Sequence, residues 1–173
     1  MKQKILDEDE IEEIIIRISN EILERNLDPI TLIIIGIKNR GDILAKKIAE
    51  RIESTGRKKI ATSEIDITFY RDDVHLKAYK YIVKHEIQFD ITDKNIVLVD
   101  DVIFTGRSVR AAIDELIDSG RPNSIQLAVL IDRGGRELPI QPDYMGKKMF
   151  VKLDRKVLVH LKEVDGEDKV FIS

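Results

Sequence analysis

The sequence predicts a single α/β domain, residues 1–173, in which helices flank a mainly parallel sheet. Short β-branched runs alternate with stretches of helical periodicity, the pattern left by strand, crossover helix and parallel strand. The 173 residues, 43% of them hydrophobic, suffice for one domain with a sizeable core. Two polar turns follow predicted strands, and ligands of such sheets gather at the carboxyl ends of the strands.

Ile11, Ile14, Ile15, Ile18 and Ile22 recur at helical spacing, and Asp7 with Glu10 forms an N-terminal capping pattern, which predicts a helix over 8–25. Thr31 to Ile35 is a β-branched strand ending at Gly36, followed by a turn and a helix carrying Leu44, Ile48 and Ile52. Over residues 60–69, Ile65, Ile67 and Phe69 alternate with Glu64, Asp66 and Thr68, as in a strand with one wetter face. From Tyr70 to Asp90 the pattern is irregular and charged, which predicts a lid-like loop over about 70–90. Ile96 to Val99 begins a buried strand, and a helix with Val109, Ala112, Ile113 and Leu116 runs to Gly120-Arg121-Pro122. Ile125 to Ile131 is the next strand. A Gly- and Pro-bearing segment from Arg133 to Met145 separates it from a last predicted strand at Val157 to Leu161.

Composition removes several functions. With no cysteine there is no disulfide, thiolate metal site or cysteine nucleophile. No run of apolar residues is long enough to span a bilayer and the first residues do not form a signal peptide, so the expected location is cytoplasmic. A net charge of -3 provides no global attraction to nucleic acid, which then requires a local basic patch. His75, His85 and His160 lack the spacing of a metal site or a catalytic triad.

The chemistry concentrates in Val97-Leu98-Val99-Asp100-Asp101-Val102-Ile103-Phe104-Thr105-Gly106-Arg107-Ser108-Val109. Apolar residues carry a buried strand to the sheet edge, where two acids emerge and a hydroxyl-rich turn opens a helix. Amides at a helix N-terminus favour phosphate, Gly106 allows close backbone approach, and paired carboxylates accept hydrogen bonds from sugar hydroxyls. A phosphorylated ribose satisfies both halves. Lys38-Asn39-Arg40-Gly41 is a second tight turn, and the Arg40 guanidinium suits phosphate oxygens.

The motif resembles the 5-phosphoribosyl-1-pyrophosphate (PRPP) signature of type I phosphoribosyltransferases. Further stretches are similar to the bacterial pyrimidine-operon attenuators with uracil phosphoribosyltransferase activity: Glu64-Ile65-Asp66-Ile67-Thr68-Phe69-Tyr70-Arg71-Asp72-Asp73, Gly120-Arg121-Pro122, Ser124 to Gly134, and Arg136-Glu137-Leu138-Pro139-Ile140. The resemblance implies the type I phosphoribosyltransferase fold, with a small hood over about 132–160 and a flexible lid. It implies conversion of uracil and PRPP to UMP and diphosphate, with Mg2+ accompanying PRPP. Asp100 and Asp101 would hold the ribose hydroxyls, and Thr105, Gly106, Arg107, Ser108 and Val109 the 5'-phosphate. Asn39 and Arg40 would meet the diphosphate, Arg71 would serve catalysis from the lid, and Arg133 and Val157 would bind uracil or its nucleotide.

The same resemblance implies a uridine-nucleotide-dependent RNA-binding attenuator and a homo-oligomer, and it leaves open the alternative of a chain that is chiefly an RNA-binding regulator, using the site to sense UMP or UTP with little catalysis. Arg17, Arg25, Arg136 and Lys147 are its candidate contacts to leader RNA. Glu12 and Glu13 replace residues often basic in the family, Asn20 and Gly135 replace common histidines, and Gln141 replaces a common arginine. Acids facing a phosphate backbone predict weakened RNA binding.

Overall fold

The computed structural model describes residues 2–28, 30–56, 59–67, 87 and 90–173. Five parallel strands lie in the order β3-β2-β4-β5-β6, where β2 is Leu32–Ile37, β3 Ala61–Ile65, β4 Asn95–Ile103, β5 Ser124–Asp132 and β6 Tyr144–Lys148. Beside them, β1 (Gln3–Leu6), β8 (Lys169–Ile172) and β7 (Val157–His160) form an antiparallel sheet in the order β1-β8-β7. The helices are α1 (Glu8–Arg25), α2 (Gly41–Ser54), α3 (Arg107–Ser119) and the short α4 (Lys162–Asp165). Among the described residues no helix is long and apolar enough to cross a membrane.

Every residue of β2, Leu-Ile-Ile-Ile-Gly-Ile, is buried, as befits a central strand covered on both faces. Alternation along it sends Leu32 and Ile34 to a core shared with Ile11, Ile15, Ile18 and Ile22 of α1 and Leu44 and Ile48 of α2. Ile33, Ile35 and Ile37 enter the opposite core with Val109, Ala112 and Leu116 of α3. Helix α1 starts at a complete capping box: the Glu10 amide donates to Asp7 Oδ1 at 3.2 Å and the Asp7 amide to Glu10 Oε2 at 3.0 Å. Its far end is held by a buried amide network. Asn26 Nδ2 donates to Ile22 O (2.8 Å) and Gln126 Oε1 (3.0 Å), and Tyr144 Oη donates to the same Gln126 oxygen at 2.6 Å. These bonds join α1 to β5 and β6 without leaving the amides unsatisfied.

The helix over 8–25 and the alternation of Glu64 with Ile65 agree with the sequence reading. Four points differ. The strand expected over 60–69 is β3, Ala61–Ile65, whose ladder with β2 ends at Ile65, and residues 68–69 lie outside the described residues. The segment Arg133 to Met145 is not wholly irregular, because Tyr144–Lys148 forms β6 at the sheet edge beside β5. Val157–His160 is not the last strand, because Lys169–Ile172 follows and pairs with both it and the N-terminal strand. Strand β2 continues past Gly36 to Ile37 because β3 extends the ladder there, with Gly36 opposite Glu64 and Ile37 opposite Ile65. The expected lid falls outside the described residues apart from Ile87 and Asp90.

One acid is buried with no counter-charge beside it among the described residues. Glu115 of α3 is 3% exposed, and its Oε2 has no partner among the described residues. Burial, with Asp66 and Asp118 nearby, pushes its carboxyl up to about 7. A carboxyl raised on folding costs nothing below its unfolded value near 4.5 and costs most above about 7, so the penalty grows as pH rises through that window. Glu115→Gln is therefore expected to raise stability at pH 8 by about 2 kcal/mol, or roughly 5 °C in Tm, and to change little at pH 4.5. Melting curves at both pH values check this, and an equal shift at both would contradict it.

Candidate functional site

Strand β4 places the site. Its buried run Ile96-Val97-Leu98-Val99 ends in Asp100, 7% exposed, and the half-buried Asp101. The carboxylates are held by the chain itself: the Asp101 amide donates to Asp100 Oδ1 at 2.9 Å, and the Val102 amide to Asp101 Oδ1 at 2.8 Å. Burial, joined by the charge of Asp101, pushes the Asp100 carboxyl well above the ordinary value. Burial also raises Asp101, against the opposing pull of the Val102 amide and the Arg40 charge. Two such acids side by side carry a burial cost that a cation or a set of hydroxyl donors would relieve.

The chain then turns through Thr105 into α3. Gly106, at φ 92°, is the N-cap, a conformation glycine adopts without strain. The N-cap Gly106 has no side chain to cap this helix and its first turn carries no acid, so the amides of Ser108 and Val109 retain their positive end for an anion. Thr105 Oγ1 accepts from the Arg107 amide at 3.3 Å. The Val109 side chain is buried in the α3 core, so this residue can serve a ligand through its backbone alone. Arg107 lies exposed, with Nε 2.8 Å from Glu137 Oε2. The Glu137 and Leu138 amides donate to Thr105 O at 3.0 and 3.2 Å, tying the segment after β5 over the turn.

The turn after β2 meets the same place from the side. Arg40, at φ 76°, precedes α2, and Gly41 presses on the motif so closely that a Cβ there would lie 2.4 Å from Val99 O and 3.2 Å from Asp100 Cα. The contact brings two turns distant in sequence against one strand end. The Lys38–Asn39 peptide is cis, Asn39 is exposed, and Lys38 Nζ lies 2.6 Å from Glu64 Oε1. That bond holds the Lys38 ammonium above its ordinary value.

Other candidates are placed differently. Arg133 is 8% exposed; its Nη2 donates to Val151 O, Lys152 O and Arg155 O at 3.5, 3.1 and 3.0 Å, and its guanidinium stacks 4.2 Å from the Phe104 ring centroid. It fastens the 151–155 segment beside the motif, while its buried Nε has no partner among the described residues. Phe104 belongs to the motif, but no sequence signal reveals that Arg133 stacks on it. Val157 starts β7 and packs partly against the α1–α2 core. Arg71 lies outside the described residues.

Of the proposed RNA contacts, Arg136 is the one most drawn into the fold. Its guanidinium donates to Asp132 Oδ2 (2.6 Å), Phe104 O (2.8 Å) and Ile140 O (2.9 Å), and the side chain is 13% exposed, so it serves the fold rather than a surface. Arg17 donates to Met145 O and Gly146 O and pairs with Glu21, and Arg25 pairs with Asp143 at 2.5 Å. Lys147 is exposed on β6, with Nζ 3.4 Å from Ile5 O. Glu12 and Glu13 are exposed on α1.

Comparison with known proteins gives the family and the fold. The phosphoribosyl transferase domain family matches residues 2–159. Bifunctional protein PyrR of Bacillus subtilis is 51% identical over 99% of this chain and 98% of its own length, and its namesake in Clostridioides difficile is 49% identical over the same shares. Among solved structures, the hypoxanthine phosphoribosyltransferase of Trypanosoma cruzi superposes with a TM-score of 0.74 at 14% identity, covering 98% of this chain and 95% of that one. A hypoxanthine-guanine phosphoribosyltransferase of Bacillus anthracis gives 0.74 at 16% identity, covering 100% and 98%. At such identities these two structures speak for the fold alone.

Proposed function

The chain belongs to the phosphoribosyltransferase domain family and, within it, to the bifunctional PyrR proteins, and from that membership we propose that it converts uracil and PRPP to UMP and diphosphate and regulates pyrimidine genes through RNA. The observation that carries the enzymatic half is the convergence of an anion-binding helix start, a buried acid pair and an arginine-bearing turn on the end of β4. A ribose bearing a 5'-phosphate and a 1-diphosphate presents the complementary groups in that order.

In this reading Thr105 and the amides of Gly106 to Val109 take the 5'-phosphate, Asp100 and Asp101 accept the ribose hydroxyls, and Asn39 and Arg40 meet the diphosphate. Uracil N1 forms the bond to the anomeric carbon as the bond to diphosphate oxygen breaks, and N1 gives up its proton. The protein's work is positioning and electrostatic stabilisation of charge on the sugar and the leaving group. The hood beside Arg133 is the place for the base, with Arg133 organising the wall rather than contributing a mobile side chain.

The donor set fits Mg2+ carried by the substrate. Two carboxylates converge, and no group of three or more histidine or acid ligands occurs among the described residues. Magnesium retains waters and takes one or two carboxylates with substrate oxygens, so Asp100 and Asp101 would support it through the ribose side. When bound, the ion neutralises charge on the departing diphosphate.

For the regulatory half, UMP in this site would govern binding of pyrimidine-gene leader RNA. Lys147 and Lys148 present exposed charge on β6, whereas Arg17, Arg25 and Arg136 are engaged by carbonyls and acids. The test is UMP formation from uracil and PRPP, with melting curves in UMP and AMP and a gel shift of leader RNA with and without UMP. UMP formation, a larger Tm rise with UMP than with AMP, and tighter RNA binding with UMP are expected. Equal stabilisation by UMP and AMP, with no UMP formed, would overturn the reading. Glu12→Arg/Glu13→Arg is expected to tighten RNA and to steepen its salt dependence.

A further inference from the structure

Three ion pairs bind one C-terminal stretch to α2 and to the turn before it. Arg40 Nη2 donates to both carboxylate oxygens of Asp165, at 3.0 and 3.2 Å. Two turns along α2, Lys47 Nζ lies 3.0 Å from Asp168 Oδ2 and 3.1 Å from Glu163 Oε1. The acids are themselves fixed to backbone: Asp165 Oδ2 accepts the Leu161 amide at 2.9 Å, and Asp168 Oδ1 the Lys162 amide at 2.7 Å. The Leu161 amide, helped by Arg40 against the cost of burial, holds Asp165 below the ordinary carboxylate range. Asp165 is therefore an ionised, immobile acceptor.

Arg40 needs such an acceptor. Its backbone sits at φ 76°, its Nε is buried without a partner among the described residues, and its charge reaches Asp101. A guanidinium free to swing on its long stem would settle onto the nearby acid pair, in the space a ribose must occupy. Asp165, 125 residues further along the chain, holds its other side.

We infer that Asp165 is a positioning residue for PRPP: its carboxylate anchors the Arg40 guanidinium away from the Asp100–Asp101 pair and aimed at the diphosphate. This rests on Arg40 as the diphosphate ligand in the proposed site. The short helix α4 and the β7–β8 sheet that carries it then form part of the phosphate-binding apparatus.

The test is kinetic, with Tm recorded for each variant. Asp165→Asn retains an acceptor for the Leu161 amide and removes the charge. It is expected to raise the KM for PRPP about tenfold while kcat and the KM for uracil stay within about twofold. Asp165→Glu, which keeps the charge, is expected to recover most of the affinity. In an Arg40→Ala background, Asp165→Asn is expected to add nothing, because the two act as one unit. Calorimetric binding of diphosphate gives the same ranking without turnover. An unchanged or lower KM for PRPP in Asp165→Asn, beside a raised one in Arg40→Ala, overturns the inference and leaves the site reading standing. An equal further loss in the Arg40→Ala background also overturns it, since Asp165 then acts otherwise than through Arg40. If Arg40→Ala itself leaves the KM for PRPP unchanged, the inference and the assignment of Arg40 fall together.

Discussion

Asp101→Asn is expected to cut UMP formation by roughly tenfold to a hundredfold and, at the same time, to raise the Tm of the ligand-free protein. The first effect follows from losing a charge-assisted hydrogen bond to the ribose, a contribution of about 1.5 to 3 kcal/mol. The second follows from the apoprotein. Asp100 and Asp101 stand side by side at the end of β4 with their carboxyls raised by burial and, for Asp100, by its neighbour's charge. An acid raised on folding weakens the folded state progressively as pH climbs from the unfolded value, near 3.8, through the folded one. Removing one charge relieves that penalty at neutral pH and changes little near pH 4. Opposite signs for rate and Tm mark a pair kept for its ligand at a cost to the fold. A variant with the wild-type rate would take Asp101 out of the site, and a lower Tm at neutral pH would mean that its backbone bonds outweigh the repulsion.

Arg136→Ala is expected to destabilise the protein by about 3 to 5 kcal/mol, the usual cost of stranding one member of a buried ion pair. Asp132 is 1% exposed at the end of β5. Burial alone would raise its carboxyl, but the Arg136 bond and the Gly134 amide outweigh it and hold the group below its ordinary value. A depressed carboxyl contributes stability above its unfolded value, near 3.8, and loses it as pH falls through the folded one. The gap between wild type and variant should therefore narrow towards pH 3. The carbonyls of Phe104 and Ile140 lose their donor too, so the hood loosens with the pair. Denaturant unfolding across pH measures this. A soluble variant of wild-type stability that loses RNA with a reduced salt slope would restore Arg136 to the RNA surface.

Much of the proposed phosphate site is legible in the sequence because it is local. A strand end, two acids and a helix start lie within 13 consecutive residues, and the physics that makes them an anion site operates between neighbours along the chain. Helix α1 was legible for the same reason, since Asp7 caps Glu10 three residues away and the isoleucine period announces the buried face. Tertiary structure decided the rest. β1 and β8 are four residues each and hold together through pairing between Gln3 and Ile172, which no local period reveals. Lys147 and Arg136 read alike as basic residues of one segment, yet one is exposed on an edge strand and the other is consumed by a buried aspartate. Arg40 was legible as a cation beside a phosphate turn, but its geometry depends on Asp165, 125 residues away. Sequence alone determined which groups of this protein are proposed to bind phosphate and ribose, because helix periodicity, capping and turn chemistry are short-range. Which charges are used up by the fold, and which are left to meet a ligand, was decided by long-range packing that brings acid and base together from opposite ends of the chain.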